Sequence, residues 1–170
     1  MIETHPFGIF MPPKARYLLL GSFTGKLIDD SYDWFYTNGR NQFWPILEQV
    51  YNLELRDKKI KQELFSKLNM GIGDIIYQCE RRYGTNLDNN LINITYNIKP
   101  IKIALQNNQI RKIFFTSRFV EIKYKKVFKD VVQSSAKIDL ITLPSPSPRY
   151  AQMSKEEKIK RYTKLLPKLI

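Results

Sequence analysis

The chain has 170 residues, enough for one hydrophobic core and no more, so we predict a single domain over residues 1–170. A hydrophobic fraction of 43% and an aromatic fraction of 13% argue against disorder. The 28 basic and 16 acidic residues give a formal charge of +12, which favours a polyanionic partner, with nucleic acid first. A protein that is basic only for solubility has the same charge, so this feature supports nucleic acid without deciding for it.

A single cysteine, Cys79, limits the chemistry that the chain can perform. It excludes an internal disulfide, a zinc site built on several thiolates and a four-cysteine iron–sulfur cluster. We expect neither a metal nor a cofactor. The sequence also has no signal-peptide pattern and no run of the ~20 apolar residues that a membrane span needs, so we expect a cytoplasmic protein that does not enter a membrane.

Apolar runs and helical periodicities predict alternating strands and helices. In chain order we predict a strand at 15–20, helices at 41–51 and 58–68, a strand at 72–77, a connection at 85–97 with at most a short helix, a strand at 112–116, a helix at 119–132, a strand at 138–143 and a helix at 155–166. Ser154 and Glu157 form a capping-box pattern at the start of the last helix. Near-continuous apolar strands are typical of parallel sheets covered on both faces. The elements predict an α/β fold, a three-layer α/β/α sandwich around a central, mostly parallel four-stranded sheet.

In such a sheet, ligands bind at the carboxyl ends of the strands. This rule selects four segments, which lie after Gly21, after Tyr77, at the Ser117–Arg118 turn and at residues 144–148. In the first, the sequence GSFTG places two glycines where backbone can approach a ligand. Its spacing matches neither GxxxxGK[ST] nor GxGxxG, so it does not predict a nucleotide site, and a GxxxG turn alone is more often structural.

An aromatic loop leads from this turn into the first helix. Its side chains combine stacking faces, amides and a cation, which is what a pocket for an extruded base requires: Tyr32, Trp34, Phe35, Tyr36, Asn38, Arg40 and Asn41. We interpret Phe43 and Trp44 as core residues and favour function for Tyr36 and Asn41. The same loop contains Asp29, Asp30 and Asp33, which could supply a general base but are more often solvated.

The segment LPSPSPRY follows the fourth predicted strand. Three prolines stiffen this loop, while its serine hydroxyls and remaining backbone N–H groups can grip phosphate oxygens. Arg149 can add charge or wedge into a duplex. A loop of this composition is also commonly a plain connection. Elsewhere, we interpret His5, the one histidine, as incidental, and Asp74 as the donor or acceptor of a structural hydrogen bond.

Five segments occur in an order that resembles the uracil-DNA glycosylase superfamily: LLLGSFTG, FYTNGRNQFW, MGIGDIIYQCERR, IFFTSR and LPSPSPRYAQMSKEEKIKRY. The hypoxanthine-DNA glycosylase and mismatch-specific uracil/thymine-DNA glycosylase branches are the most similar, since they carry a G-x-x-P-G turn, an HP-x-N-x-FW segment and a PS-x-SP loop in that order. The similarity runs from Tyr17 to Leu166. It implies a monomeric, monofunctional N-glycosylase that flips a deaminated base, uracil or hypoxanthine, out of DNA and leaves an abasic site.

The resemblance also implies roles for individual residues. Asn41 matches the active-site asparagine, Tyr36 the aromatic residue that stacks on the base, and Ser22 and Phe23 the turn whose backbone faces the base. We assign catalysis to Asn41 and Ser22, and base binding to Phe23, Tyr36 and Asn38. The DNA contacts implied by the resemblance and by residue type are Arg40, Ser145, Ser147, Arg149 and Tyr150.

The chain departs from the family's motifs at several positions. Thr24 replaces the usual proline, Asn38 and Gly39 replace the His-Pro pair, and the first turn lacks the Asp and Asn that other branches use to position water. The second loop lacks the histidine of the main uracil branch. These departures leave two alternatives open: a nucleic-acid-binding protein that keeps the fold without the activity, and an enzyme that acts on free nucleosides.

Overall fold

The computed structural model describes residues 1–26, 32–134 and 137–170. Their elements in chain order are β1 Ile2–Thr4, β2 Tyr17–Gly21, α1 Phe43–Tyr51, α2 Lys58–Lys67, β3 Met70–Asp74, β4 Ile76–Arg81, β5 Leu91–Tyr96, α3 Ile98–Gln106, β6 Lys112–Phe115, α4 Arg118–Val127, α5 Lys129–Ser134, β7 Asp139–Thr142 and α6 Lys155–Leu165. No helix in this part of the chain is long and apolar enough to cross a membrane.

The central sheet has four parallel strands in the order β3-β2-β6-β7. Its inner strand β2 carries the run Leu18–Leu20, whose side chains are all fully buried. Successive side chains of a strand point to opposite faces, so Leu19 packs in one hydrophobic cluster while Leu18 and Leu20 pack in another. Helices α1, α2 and α6 cover the first face, and α3, α4 and α5 contribute to the second. The predicted α/β fold with a four-stranded parallel sheet is confirmed.

A second sheet, with the order β1-β4-β5, was not predicted. Its strands are antiparallel, with Thr4 opposite Gln78 and Glu80 opposite Ile92. The predicted strand at 72–77 is therefore wrong as a single strand. The chain leaves the parallel sheet at Asp74, and the N–H of Ile75 donates to the carbonyl of Gly21 before β4 begins. The near-continuous apolar run over 72–77, interrupted by Asp74 alone among charged residues, gives no local signal for this change of sheet.

The interpretation of residues 85–97 as a connection is also wrong. The segment contains β5, whose first residue is buried and whose later residues alternate between half-buried and exposed, as expected of a strand with one solvated face. Its asparagines suggested a loop, but pairing with β4 decides its conformation. The predicted helix at 119–132 breaks at Phe128 into α4 and α5, and helix α3 was not predicted.

The predicted capping box at the start of α6 is confirmed. The N–H of Glu157 donates to Ser154 Oγ at 3.2 Å, and the N–H of Ser154 donates to Glu157 Oε2 at 3.1 Å. We expect Ser154→Ala to lower the free energy of unfolding by about 1 kcal/mol, since an N-cap that satisfies a free helix N–H is lost. Thermal unfolding followed by circular dichroism would then shift down by roughly 2–4 °C for a chain of this size.

Ser66→Ala is the matched control, because Ser66 lies exposed within α2 and alanine is the better helix former there. A loss of stability in the Ser66 variant equal to that in the Ser154 variant would contradict the assigned capping role.

Candidate functional site

A cleft of about 980 Å³ opens at the carboxyl ends of the parallel strands. Three of the four predicted segments line it: the turn after Gly21, the turn at Ser117 and the loop 145–150. Residues 78–80, directly after Tyr77, do not, because they continue strand β4. Arg81 at the end of β4, Asp74 at the end of β3 and residues between β4 and β5 line the cleft there. All ten residues predicted to form the site line this cleft: Ser22, Phe23, Tyr36, Asn38, Arg40, Asn41, Ser145, Ser147, Arg149 and Tyr150.

The turn after β2 brings backbone against the floor of the cleft. A methyl group at Gly21 would collide with the Tyr36 hydroxyl and lie 2.5 Å from Asp74 Oδ1, so only glycine lets these two side chains meet the strand. Ser22 Oγ donates to Asp88 Oδ1 at 2.6 Å. The backbone hydrogen bonds among the described residues do not include the N–H groups of Ser22 and Phe23. These two N–H groups are therefore candidate donors to a ligand in the cleft.

Tyr36 is held in an uncommon backbone conformation, with a φ of 58°. Its ring centroid lies 4.2 Å from that of Phe43, and its hydroxyl is 3.0 Å from Thr116 Oγ1. Burial, together with the nearby charge of Asp74, raises its pKa well above the ordinary value for tyrosine, so the hydroxyl stays neutral. Packing against Phe43 and the hydrogen bond to Thr116 fix an aromatic ring at the wall of the cleft. Phe43 and Trp44 are buried, as predicted.

The amide oxygens of Asn38 and Asn41 are engaged in local structure. Asn41 Oδ1 accepts from the N–H of Phe43 at 2.9 Å, and Asn38 Oδ1 accepts from the N–H of Asn41 at 3.2 Å. The first bond satisfies the N–H of Phe43, the first residue of α1, and the second satisfies an N–H in the turn before the helix. The chemistry left to Asn41 is therefore donation from its Nδ2 group. Arg40, between them, is exposed at the rim.

The loop after β7 is fixed by its own hydrogen bonds and by a lysine. The N–H of Ser147 donates to Ser145 Oγ and the N–H of Arg149 to Ser147 Oγ, each at 3.2 Å. Lys158, 1% exposed, donates to Ser147 O at 3.0 Å and to Gln42 Oε1 at 2.9 Å. These hydrogen bonds use the N–H groups of Ser147 and Arg149 within the loop. That the loop grips phosphate stays a prediction, for which the hydroxyl protons of the two serines and the Arg149 side chain are donors.

The interpretation of His5 as incidental is wrong. Its side chain is 3% exposed, and Nε2 lies 2.6 Å from Asp74 Oδ2. The bond confirms the structural hydrogen bond expected of Asp74. It also joins the N-terminal segment to the end of β3, at the floor of the cleft. Asp74 Oδ1 is buried and has no hydrogen-bond partner among the described residues, which is costly for a carboxylate oxygen.

Two further residues at the cleft were not identified from the sequence. Asp88 lies in a short 3-10 turn before β5, within the segment that the sequence suggested was a plain connection. Arg81, 4% exposed on its side chain, donates to Glu3 Oε2 at 3.0 Å and to Thr24 O at 2.8 Å, and lies 5.6 Å from the ring centre of Phe23. An isolated Asp or Arg gives no local signal for such a role, because the partners are distant in sequence.

The acidic side chains of the aromatic loop do not provide a base in the described structure. Asp33 accepts hydrogen bonds from Thr37 Oγ1 at 2.9 Å and from Lys61 Nζ at 3.2 Å, and it does not line the cleft. Asp29 and Asp30 lie outside the described residues. Among residues 1–26, 32–134 and 137–170, no three His, Cys, Asp or Glu side chains are grouped so that they could hold a metal ion.

Comparison with known proteins adds evidence on the fold. A solution structure of a candidate uracil DNA glycosylase from Methanosarcina acetivorans superposes with a TM-score of 0.65 over 97% of this chain and 96% of that one. The two chains share one fold. They are 18% identical in sequence, a level at which the likeness bears on architecture alone. No protein-family model and no curated protein matches the sequence.

Proposed function

We propose that this protein is a DNA N-glycosylase, which hydrolyses the bond between a deaminated base, uracil or hypoxanthine, and its deoxyribose and leaves an abasic site. The observation that carries the proposal is the meeting of three elements in one cleft: the fixed ring of Tyr36, the donor amide of Asn41 and the backbone turn at Ser22. A flipped base needs an aromatic face, donors for its edge and a nearby site for water. The fold shared with the Methanosarcina protein supports the same conclusion.

The reaction passes through a sugar cation, while negative charge develops on the departing base. In the proposed mechanism the Nδ2 group of Asn41 holds the attacking water by donating to its oxygen, since Oδ1 is committed to Phe43. The N–H groups of Ser22 and Phe23 receive the charge on the base, as an oxyanion hole does. Asn38 lies beside them and contributes to base binding. Tyr36 stacks on the base and stays neutral throughout.

The proposed DNA contacts surround the mouth of the cleft. Arg40 and Arg149, both exposed, bind phosphates on either side of the extruded nucleotide. Ser145 and Ser147 donate their hydroxyl protons to phosphate oxygens. Tyr150, 36% exposed, lies on the same loop and packs against the neighbouring sugar or base. The charge of +12 gives DNA a long-range attraction to this surface. We propose that the protein acts as a monomer in the cytoplasm.

Single-turnover cleavage of labelled oligonucleotides tests the activity. Uracil, hypoxanthine and xanthine would each be placed in single-stranded and double-stranded DNA, and alkali would reveal abasic sites. We expect strand breaks with uracil or hypoxanthine. If no substrate is cleaved while salt-sensitive DNA binding persists, the chain is a binding protein that keeps the fold. Release of base from free nucleosides, with no preference for DNA, would favour the nucleoside enzyme instead.

The salt dependence of binding tests the DNA surface. We expect Arg149→Ala to weaken binding to every sequence and to reduce the slope of log K against log salt by about 1, since one phosphate contact is lost. The measurement is fluorescence anisotropy of a labelled duplex at several salt concentrations. Lys59→Ala is the matched control, because Lys59 is exposed on α2 and does not line the cleft. Equal salt slopes in the two variants would contradict the phosphate contact proposed for Arg149.

A further inference from the structure

Two carboxyl groups lie at the floor of the cleft, and the mechanism above uses neither. Asp74 ends strand β3, and Asp88 lies in the turn before β5. Both line the cleft together with Ser22, whose hydroxyl donates to Asp88. Asn41 can hold a water, but an amide does not take its proton. The reaction therefore needs a base, and these two groups are the carboxyl side chains that line the cleft in the described structure.

Asp74 is not the group that takes the proton. One of its oxygens is bound by His5, and the other is shielded from solvent although it has no partner among the described residues. The N–H of Phe7 lies 3.0 Å from His5 Nδ1 and the carbonyl of Phe7 lies 2.7 Å from it, so this nitrogen has a partner whether or not it carries a proton. In the tautomer that carries its proton on Nε2, this N–H donates to Asp74 Oδ2 and the N–H of Phe7 donates to Nδ1. The pair is fixed in place and buried beneath the turn at Gly21.

Asp88 has the properties of an accessible base. Its side chain is partly exposed at the cleft, and among the described residues Ser22 alone donates to its carboxyl group, at Oδ1. Oδ2 is the oxygen left to accept a proton. Burial raises the pKa of this carboxyl group, the Ser22 hydrogen bond lowers it, the negative charge of Asp74 raises it and the positive charge of Arg81 lowers it. Lys26 is a further cation on the wall of the same cleft.

We propose that Asp88 is the general base of the cleft. Asp74, held by His5, is a positioning residue whose negative charge acts electrostatically on the carboxyl group of Asp88. The inference rests on the proposed glycosylase function. Water held by Asn41 attacks the sugar carbon C1′ and gives one proton to Asp88 Oδ2. The bond from C1′ to the base breaks, and its electron pair leaves with the base. The base then takes a proton from solvent, and Asp88 returns its own proton to solvent.

The test is single-turnover base excision measured from about pH 4 to pH 8, a range that spans the ordinary and raised values for aspartate. A general base works only when it is ionised, so the wild-type rate should fall as the pH drops through the Asp88 pKa. We expect Asp88→Asn to lose at least ~10²-fold in rate at neutral pH, given the usual contribution of a positioned base. Any residual rate should no longer fall at low pH. Asp139→Asn is the matched control and should behave as wild type. Asp139 carries an exposed carboxylate at the start of β7, whereas the cleft lies at the end of that strand.

Two variants test how Asp74 and Ser22 affect the ionisation of Asp88, separately from the loss of the base itself. Asp74→Asn removes a negative charge near Asp88, so the midpoint of the acid limb should move to lower pH. Ser22→Ala removes a hydrogen bond that favours the ionised form, so the midpoint should move to higher pH. A merely structural role of Asp74 would lower the rate at every pH and leave the midpoint in place. Circular dichroism and DNA affinity equal to wild type would show that each variant is folded.

The possible results separate this inference from the function on which it rests. A wild-type protein that cleaves no substrate overturns both. A wild-type protein that excises uracil or hypoxanthine, with an Asp88→Asn variant within about threefold of its rate, overturns the role of Asp88 and leaves the glycosylase standing. Loss of activity in Asp88→Asn, with opposite midpoint shifts in the other two variants, supports the whole proposal.

Discussion

Asn41→Asp is expected to keep the fold and lose base excision by at least ~10²-fold in single-turnover assays. The aspartate retains an oxygen that accepts from the N–H of Phe43, so the start of helix α1 is preserved. An acidic side chain at a helix N-terminus is also favoured by the helix dipole. What is lost is the Nδ2 donor, which in the proposed mechanism holds the attacking water.

Asn41→Ala provides the comparison. It removes both the acceptor for Phe43 and the Nδ2 donor, so it should lose activity and also about 1 kcal/mol of stability, as measured by thermal unfolding. If Asn41→Asp instead cleaves within about threefold of the wild-type rate, Asn41 serves only to start the helix. The pair of variants thus separates the hydrogen bond from the N–H of Phe43, which the structure contains, from the catalytic role, which is proposed.

Gly21→Ala is the second change with a large expected effect. The added methyl group would collide with the Tyr36 hydroxyl and lie 2.5 Å from Asp74 Oδ1, and neither contact is tolerated without movement. Gly21 sits at the end of the inner strand β2, so the strand itself is not free to yield. Displacing Tyr36 by about 1 Å is expected to lower the rate of base excision on the order of 10²-fold. The reason is that a base stacked on Tyr36 must stay aligned with the attacking water.

Gly8→Ala controls for the substitution itself. No atom of the described residues lies within 4 Å of the position that its methyl group would occupy, and its φ is not in the left-handed region, so activity and thermal stability should match wild type. A Gly21→Ala protein with wild-type activity would show that Tyr36 and Asp74 can move without consequence for the reaction. Measuring the uracil and hypoxanthine rates side by side would also show whether the two bases depend equally on this contact.

The parallel sheet was predictable because it is built from local signals. The runs around Leu18–Leu20 and Ile113–Phe115 are continuous apolar stretches of strand length, and burial on both faces requires no more than that. The rule that ligands bind at carboxyl ends then selected the right edge of the sheet. Tyr36 and Asn41 were predicted from the same rule, since they lie on the connection that leads from the end of β2 to α1, and both line the cleft.

The second sheet was not predictable from local patterns. Strand β4 follows β3 after one residue, and strand β5 lies in a segment, 85–97, that is rich in asparagine, so neither strand has a boundary or a surrounding composition that marks it. Pairing with β1, from the N-terminus, fixes β4, and pairing with β4 fixes β5. These contacts join residues far apart in sequence, where propensity says little and cross-strand packing decides.

The sequence by itself determined the fold class, the edge of the sheet that carries the cleft and the residues of the two loops that border it, because these depend on hydrophobic period and chain order. Only the tertiary structure decided the role of Asn41's oxygen, the pairing of His5 with Asp74 and the place of Asp88 beside Ser22. Those contacts span as many as 69 residues of sequence. A hydrogen bond depends on where two side chains lie in space, and that is set by the packing of the whole chain rather than by the residues on either side.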